Sequence, residues 1–215
     1  MRVTFVLPFA GLQGGVRVIA VHADRLKRRG HEVTVVSTPE VVTTRRKVKS
    51  LLLGRGLPRP EPSYFEGIGV EHRVLDKIRP VMDGDVPNAD VVLATYYTTA
   101  PGVLRLSPEK GAKAIFIQHY EVEEGRPNPS LDATWRMPMH KITISKWLLQ
   151  LARDKFGDTI VSLVPNSVDL NQFHAKPRGK GQVPTVGFLY NTFSLKGMGT
   201  GLKALECVAE TVPSL

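Results

Sequence analysis

Cysteine is almost absent: Cys207 is the only one in 215 residues. No disulfide can form within the chain, and a reducing, cytoplasmic compartment is the natural reading. The thiol falls in a helical pattern and is expected as a small packed residue rather than a nucleophile. Long apolar runs are missing as well, and none approaches the ~18 residues a membrane-crossing helix needs. Arg2 followed by Val3 to Leu7 imitates the start of a signal peptide. That run is too short, and it flows into Gly11, Gly14 and Gly15 without a small-residue cleavage pattern. Aromatic residues make up only 7% of the chain. None interleaves the clustered cations, which argues against a stacking platform for nucleic acid. No histidine or cysteine spacing suits zinc, and Ser145 and Ser167 lack the His/Asp pattern of a hydrolase.

Charge is present in excess and unevenly spread. The net charge is +9, and 41–60 holds six basic residues (Arg45, Arg46, Lys47, Lys49, Arg55, Arg59) and no acidic one. From Glu61 to Asp90 the balance reverses, with seven acidic residues against Arg73, Lys77 and Arg79. The basic stretch, 45–59, also carries Leu51, Leu52 and Leu53. It reads either as a segment lying on an anionic membrane surface, where each cation contributes about 1 kcal/mol, or as a solvated loop. The first reading would make the protein peripheral at the inner face of the membrane.

Hydrophobic patterning supplies the fold. Val3, Phe5 and Leu7 form a short buried strand ended by Pro8. After Gly11-Leu12-Gln13-Gly14-Gly15, residues Val16, Ile19, Ala20, Ala23 and Leu26 recur at helical spacing until Gly30 stops the helix. His31 to Ser37 is a second strand. A β-α-β unit with a glycine-rich first turn predicts an α/β protein, a parallel sheet covered by helices. Residues 41–88 show little periodicity and predict an excursion with at most one weak element. Apolar runs of strand type return at Ala89 to Thr95, Ala114 to Gln118, Lys141 to Ile144 and Ile160 to Val164, with a short helix within Thr98 to Leu106. Ser145 reads as the N-cap of a helix through Trp147, Leu148, Leu151, Ala152 and Phe156. A polar, basic stretch ending Lys180-Gly181 reads as a linker, followed by a strand (Thr185 to Leu189) and a helix (about Gly199 to Glu210).

Gly14 and Gly15 bare the backbone where a helix presents free N–H groups and a positive dipole end, a site suited to phosphate. The spacing is not G-x-G-x-x-G. Glu40 follows Pro39 rather than closing its strand, so a nicotinamide fingerprint is weak. His119 and Glu121 follow an apolar strand, where strand ends deliver side chains into the crevice of an α/β sheet. An imidazole there can bind a sugar hydroxyl or stabilise charge, or serve only as a structural hydrogen-bonder. Asp83-Gly84-Asp85 is a literal D-x-D, but its neighbours Arg79-Pro80 and Pro87-Asn88 argue against a metal role.

Four segments in order carry a resemblance: Gly14-Gly15-Val16-Arg17 with Arg29-Gly30-His31-Glu32-Val33, Gln118-His119-Tyr120-Glu121, Pro165-Asn166-Ser167-Val168-Asp169 with Phe173, and Lys196-Gly197. Together they resemble the acceptor-side, N-terminal domain of family-4-type retaining glycosyltransferases of the two-domain GT-B architecture. The second segment is similar to a subgroup near the rhamnosyltransferases. The resemblance implies a Rossmann-like parallel sheet with helices on both faces at 1–174, a linker at 175–183, and at 184–215 the first β-α unit of an incomplete donor-binding domain. It implies transfer of a sugar from a nucleotide-sugar donor to a carbohydrate or lipid-linked acceptor in polysaccharide assembly, without metal, covalent protein intermediate or bound cofactor. It assigns His119 to catalysis, Gly14, Gly15, Arg17 and Lys196 to the donor phosphates and cleft, and Glu121 and Asn166 to the acceptor. Two departures stand out: Ser167 replaces the usual glycine, and Phe188 follows Gly187 where an arginine of the phosphate clamp is usual. Little turnover is expected from these 215 residues alone. The rival readings are a non-catalytic Rossmann-like module docking on a partner or membrane, and a nucleotide-dependent oxidoreductase or epimerase.

Overall fold

The computed structural model describes residues 1–40, 51–54, 56, 62–121, 128–177, 179, 185–191 and 196–211. The six cations of the basic segment lie outside these residues. Two units are distinguished, Met1–Ser167 and Val168–Leu215.

The first unit is a seven-stranded parallel sheet in the order β3-β2-β1-β4-β5-β6-β7. The strands are β1 (Arg2–Leu7), β2 (Glu32–Ser37), β3 (Glu71–Val74), β4 (Val91–Ala94), β5 (Ala112–Ile117), β6 (His140–Thr143) and β7 (Val161–Leu163). Every pairing is parallel. Around the sheet lie α1 (Gly14–Arg28), α2 (Ala100–Leu104), α3 (Pro129–Trp135) and α4 (Lys146–Phe156).

Both faces of the central strands are buried, which is why their sequences run apolar without alternation. Val3, Phe5 and Leu7 of β1 pack with Val33 and Val35 of β2 under Val16, Ile19, Ala20 and Ala23 of α1. On the opposite face Val6, Val36, Val92 and Ile115 pack under α2, α3 and α4 through Val103, Leu131, Trp135, Leu148 and Ala152. Helices therefore cover both faces of an α/β, Rossmann-like sheet.

Helix ends follow local chemistry. Gly30 has φ +85°, and the N–H groups of Gly30 and His31 return to the carbonyls of Lys27 (2.9 Å) and Leu26 (3.2 Å). This double bond pattern closes α1 as a Schellman motif. At its other end Gln13 is the N-cap but makes no side-chain bond to the helix, and the first turn has no acidic residue. Ser145 occupies the N-cap of α4, yet its hydroxyl makes no capping bond, a departure from the sequence expectation. A glycine is demanded at 111, where φ is +90° and a Cβ would stand 2.5 Å from the carbonyl carbon of Asp90.

Inside β6, Lys141 is 3% exposed. Its ammonium donates to the carbonyls of Met137 (3.0 Å) and Met139 (3.2 Å) and pairs with Asp158 at 2.6 Å. All three of its N–H donors are thereby used.

The second unit contains α5 (Met198–Thr211), none of whose residues is buried. Cys207 is exposed, against the expectation of a packed residue. The apolar stripe of α5 has no covering layer among the described residues. Residues 185–191 form no strand, a second departure, since a strand exists only where a neighbour accepts its backbone bonds. Phe188 lies over Gly201 of α5, where a Cβ would meet its ring at 2.5 Å. The aromatic ring at the arginine position thus has a packing role.

Candidate functional site

The strand order sets where a ligand can reach the sheet. From β1 the chain moves outward to β2 and β3, then returns across to β4 and continues through β5, β6 and β7 on the other side. Connections leaving β1 and β4 therefore diverge, and in open α/β sheets the crevice outside the carboxyl ends at this switch is where ligands bind.

A cavity of about 250 Å³ lies there. Leu7, Pro8 and Phe9 enter it from the end of β1, Thr95, Tyr96 and Tyr97 from the end of β4, and Gln118, His119 and Glu121 from the end of β5. Gln13, Gly15 and Val16 form the side at the start of α1, and Leu131, Thr134 and Trp135 of α3 the other. The lining is aromatic and aliphatic with a few converging polar groups, the usual make-up of a small-molecule site.

Hydrogen bonds hold this ring of loops. The Gln118 amide donates to the carbonyl of Gly15 at 3.0 Å, tying the β5 end to the glycine turn. Thr95 Oγ1 donates to the carbonyl of Val6 at 3.0 Å, and Thr134 Oγ1 to that of Tyr97 at 3.3 Å. Tyr120 is not in the cavity lining and packs edge-on against the stacked pair Trp135 and Phe156. Its hydroxyl donates to Asp132 Oδ1 at 2.6 Å and accepts from Lys155. This bond, and a second from Lys155, hold the Asp132 carboxyl below the ordinary carboxylate range. With Tyr120 anchored inward, His119 and Glu121 on either side of it turn to the cavity. His119 is exposed, with its ring edge-on to Trp147 at 5.8 Å between centroids.

The expected site residues divide on inspection. Gly15, His119 and Glu121 share the cavity. Gly14 is exposed beside it; a Cβ there would meet nothing within 4 Å, and its φ is not positive. At Gly15 a Cβ would come within 3.3 Å of the Gln118 amide. Arg17 is not in the lining and stands 6.0 Å from the ring centre of Tyr64. Asn166 is exposed beyond β7, at the sheet edge, and does not line the cavity. Lys196 belongs to the second unit, exposed just ahead of Gly197 and α5. The carboxylates of the D-x-D are engaged structurally. Asp83 accepts the N–H of Ser107 at 2.9 Å, and Asp85 accepts a two-pronged bond from Arg79 at 2.5 and 2.8 Å.

Thr95, Tyr96, Tyr97 and Phe9 escaped the sequence reading. The signal was available, because each follows an apolar strand run, as His119 does. Trp135 and Thr134 carried no such signal, since α3 reaches the cavity only through tertiary packing.

No helix among the described residues is long and apolar enough to cross a membrane, and these residues hold no cluster of histidine, cysteine and carboxylate suited to a metal ion. The chain matches no curated protein and no solved structure. A family model, Glycosyltransferase Family 4, matches residues 12–172, three quarters of the 215 residues, and spans Gly14-Gly15, the cavity lining apart from Leu7, Pro8 and Phe9, and all seven strands but β1. A parallel sheet with its cavity at the switch point and a family match over that same stretch make this chain a member of glycosyltransferase family 4.

Proposed function

We propose that the chain takes part in transfer of a sugar from a nucleotide-diphosphate donor to a carbohydrate or lipid-linked acceptor in polysaccharide assembly, as the acceptor-side part of a GT-B enzyme. The single observation that carries this reading is the junction of a bare helix start with a small, aromatic cavity. Gly14 has neither a backbone angle nor a neighbour that requires glycine. What its missing side chain leaves room for comes from outside the fold, onto the free N–H groups of Gly14, Gly15 and Val16. No acidic residue competes in that turn. Departure of a nucleoside diphosphate concentrates negative charge, and oriented N–H dipoles stabilise such charge without reorganising. The resemblance adds Arg17 and Lys196 as further positive charge for the donor phosphates.

The cavity is smaller than the ~300–1,000 Å³ of sites for drug-sized ligands and so suits one sugar ring. In this reading His119 faces the reacting sugar, accepting a hydroxyl proton or balancing charge as the glycosidic bond forms. Glu121 orients an acceptor hydroxyl, and Asn166 contacts the acceptor farther along the sheet edge. The resemblance adds retention of anomeric configuration, kinship with the rhamnosyltransferase-like subgroup, and a phosphate charge met by protein groups instead of a metal or bound cofactor. The single cysteine and the charge pattern of the sequence add a cytoplasmic location, peripheral at the inner face of the membrane, with the cations of 45–59 drawn to anionic lipid.

Amide chemical shifts test the reading. Nucleoside diphosphates are expected to move the Gly14, Gly15 and Val16 resonances. If none of UDP, GDP or TDP moves them at millimolar concentration while a nicotinamide dinucleotide does, the transferase reading fails in favour of an oxidoreductase.

A further inference from the structure

Trp147 is 50% exposed, whereas Trp135, the other tryptophan of the chain, is 1% exposed. The inward stripe of α4 runs through Leu148 and Ala152, and Trp147 lies about 100° away from Leu148 around the helix. Core packing therefore does not account for it. Position does. Ile117 of β5 pairs with Thr143 of β6, so Gln118-His119 and Ile144 to Trp147 leave the sheet side by side at the cavity end. There the indole meets the His119 ring edge-on.

The turn thus sets an uncovered indole against an exposed imidazole. A pyranose matches this set: one face of the ring is C–H and packs on an aromatic plane, while its edge carries hydroxyls that donate and accept.

We infer that Trp147 is the platform on which a pyranose ring of the acceptor stacks, with His119 meeting its hydroxyl edge. This rests on the sugar-transfer reading and assigns that site a specificity-determining residue. A lipid surface is the less suited occupant. Trp147 is the only large exposed apolar residue of α4, and the exposed positions Lys146, Gln150, Arg153, Asp154 and Lys155 are polar. An interfacial helix needs a continuous apolar face.

The two tryptophans make the test direct, because a ligand-induced change in emission reports on Trp147 while Trp135 stays buried. The whole chain is titrated with methyl pyranosides of the gluco, manno, galacto and rhamno series. Binding is followed by tryptophan emission and independently by saturation transfer from protein to sugar. A blue shift that saturates with one of them is expected. Trp147→Ala should weaken that sugar by roughly two- to tenfold, with partial recovery in Trp147→Phe and an unchanged melting temperature. Saturation transfer to a pyranoside that is equally strong in Trp147→Ala overturns the platform and leaves the transfer reading standing. Absence of transfer from wild type to every pyranoside also overturns it. So does a blue shift produced only by vesicles of anionic phospholipid, which would make Trp147 a membrane contact. Failure of the nucleotide test above, with pyranosides still stacking on Trp147, would remove the transferase reading but not the platform.

Discussion

Asp158→Ala should cost more stability than any ordinary surface substitution, because it strands a buried ammonium. The Lys141 side chain is 4% exposed and that of Asp158 20%. Breaking a fully buried pair by removing one partner costs about 3–5 kcal/mol. Two carbonyl acceptors, those of Met137 and Met139, remain on the ammonium, and Asp158 keeps some contact with water, so about 2–3 kcal/mol is expected. For a unit of this size that corresponds to a fall in melting temperature of roughly 4–12 °C. Lys141→Met removes the charge together with its desolvation cost, so the double variant should be less destabilised than the sum of the two singles, with a coupling of about 1–3 kcal/mol. Thermal and urea melts followed by circular dichroism measure all four corners of the cycle. The difference between wild type and Asp158→Ala should persist in ~1 M salt, since buried pairs are weakly screened. A cost below about 0.5 kcal/mol, or one that vanishes in salt, would show a solvent-exposed pair of the usual small worth and refute the reasoning.

Gly14→Ala should leave the fold intact or stabilise it by up to about 0.5–1 kcal/mol, since its Cβ meets open space, while Gly14→Val should weaken nucleoside diphosphate binding about tenfold or more by titration calorimetry. Gly111→Ala places a Cβ against the Asp90 carbonyl at a positive φ and should cost about 2–4 kcal/mol in a urea melt. Tyr120→Phe keeps the ring edge-on against Trp135 and Phe156 but removes the hydroxyl bridging Asp132 and Lys155; sugar affinity should fall while near-ultraviolet dichroism is retained. Burial lowers the proton affinity of His22 and His72 below the ordinary value of 6.5, so the unfolded chain takes up protons that the folded one refuses. Stability is complete above about pH 6.5 and is lost as pH falls below it. Melting temperatures at pH 7.5 and 5.5 should differ in the wild type and differ less in a His22→Leu, His72→Gln variant. A second loss is expected below about pH 4, where bonds from Arg79, from the Ser107 N–H and from the Arg2 N–H hold Asp85, Asp83 and Asp90 below their ordinary 3.8.

What could be read in advance follows from where burial is symmetrical. β1 and β2 are covered on both faces, so apart from Thr4, Thr34 and Ser37 their inner residues are apolar and the sequence announces them. β3 is different: Glu71-His72-Arg73-Val74 has one apolar residue, and the strand exists because β2 offers its edge in register, Val35 opposite His72. Ser37 Oγ and the His72 ring then close the edge at 2.9 Å. Nothing in that tetrapeptide encodes a strand by itself. Thr185 to Leu189 departs in the opposite sense, having the composition of a strand without forming one. The cavity was half legible for the same reason. Strand ends mark Gly15, His119 and Glu121 as neighbours of one crevice, but α3 arrives there through the packing of Leu131 and Trp135, which no local pattern specifies.

The position of polar groups around the cavity has a physical cause beyond the family match. A sheet buried on both faces can present side chains to a ligand only at its ends, because any residue within a strand is committed to one helical layer or the other. Thr4 shows the difficulty of placing a polar group inside: at 1% exposure its hydroxyl finds no partner among the described residues. At the carboxyl ends the chain is free to alternate. In Gln118-His119-Tyr120-Glu121 successive side chains serve the glycine turn, the cavity, the core beneath α4, and the cavity again. The inward tyrosine fixes the backbone that aims the two outward groups. Chemistry on this fold therefore rests on residues that are individually exposed and collectively held by Tyr120, Gln118 and Thr95, and loosening those supports should weaken ligand binding before it weakens the fold.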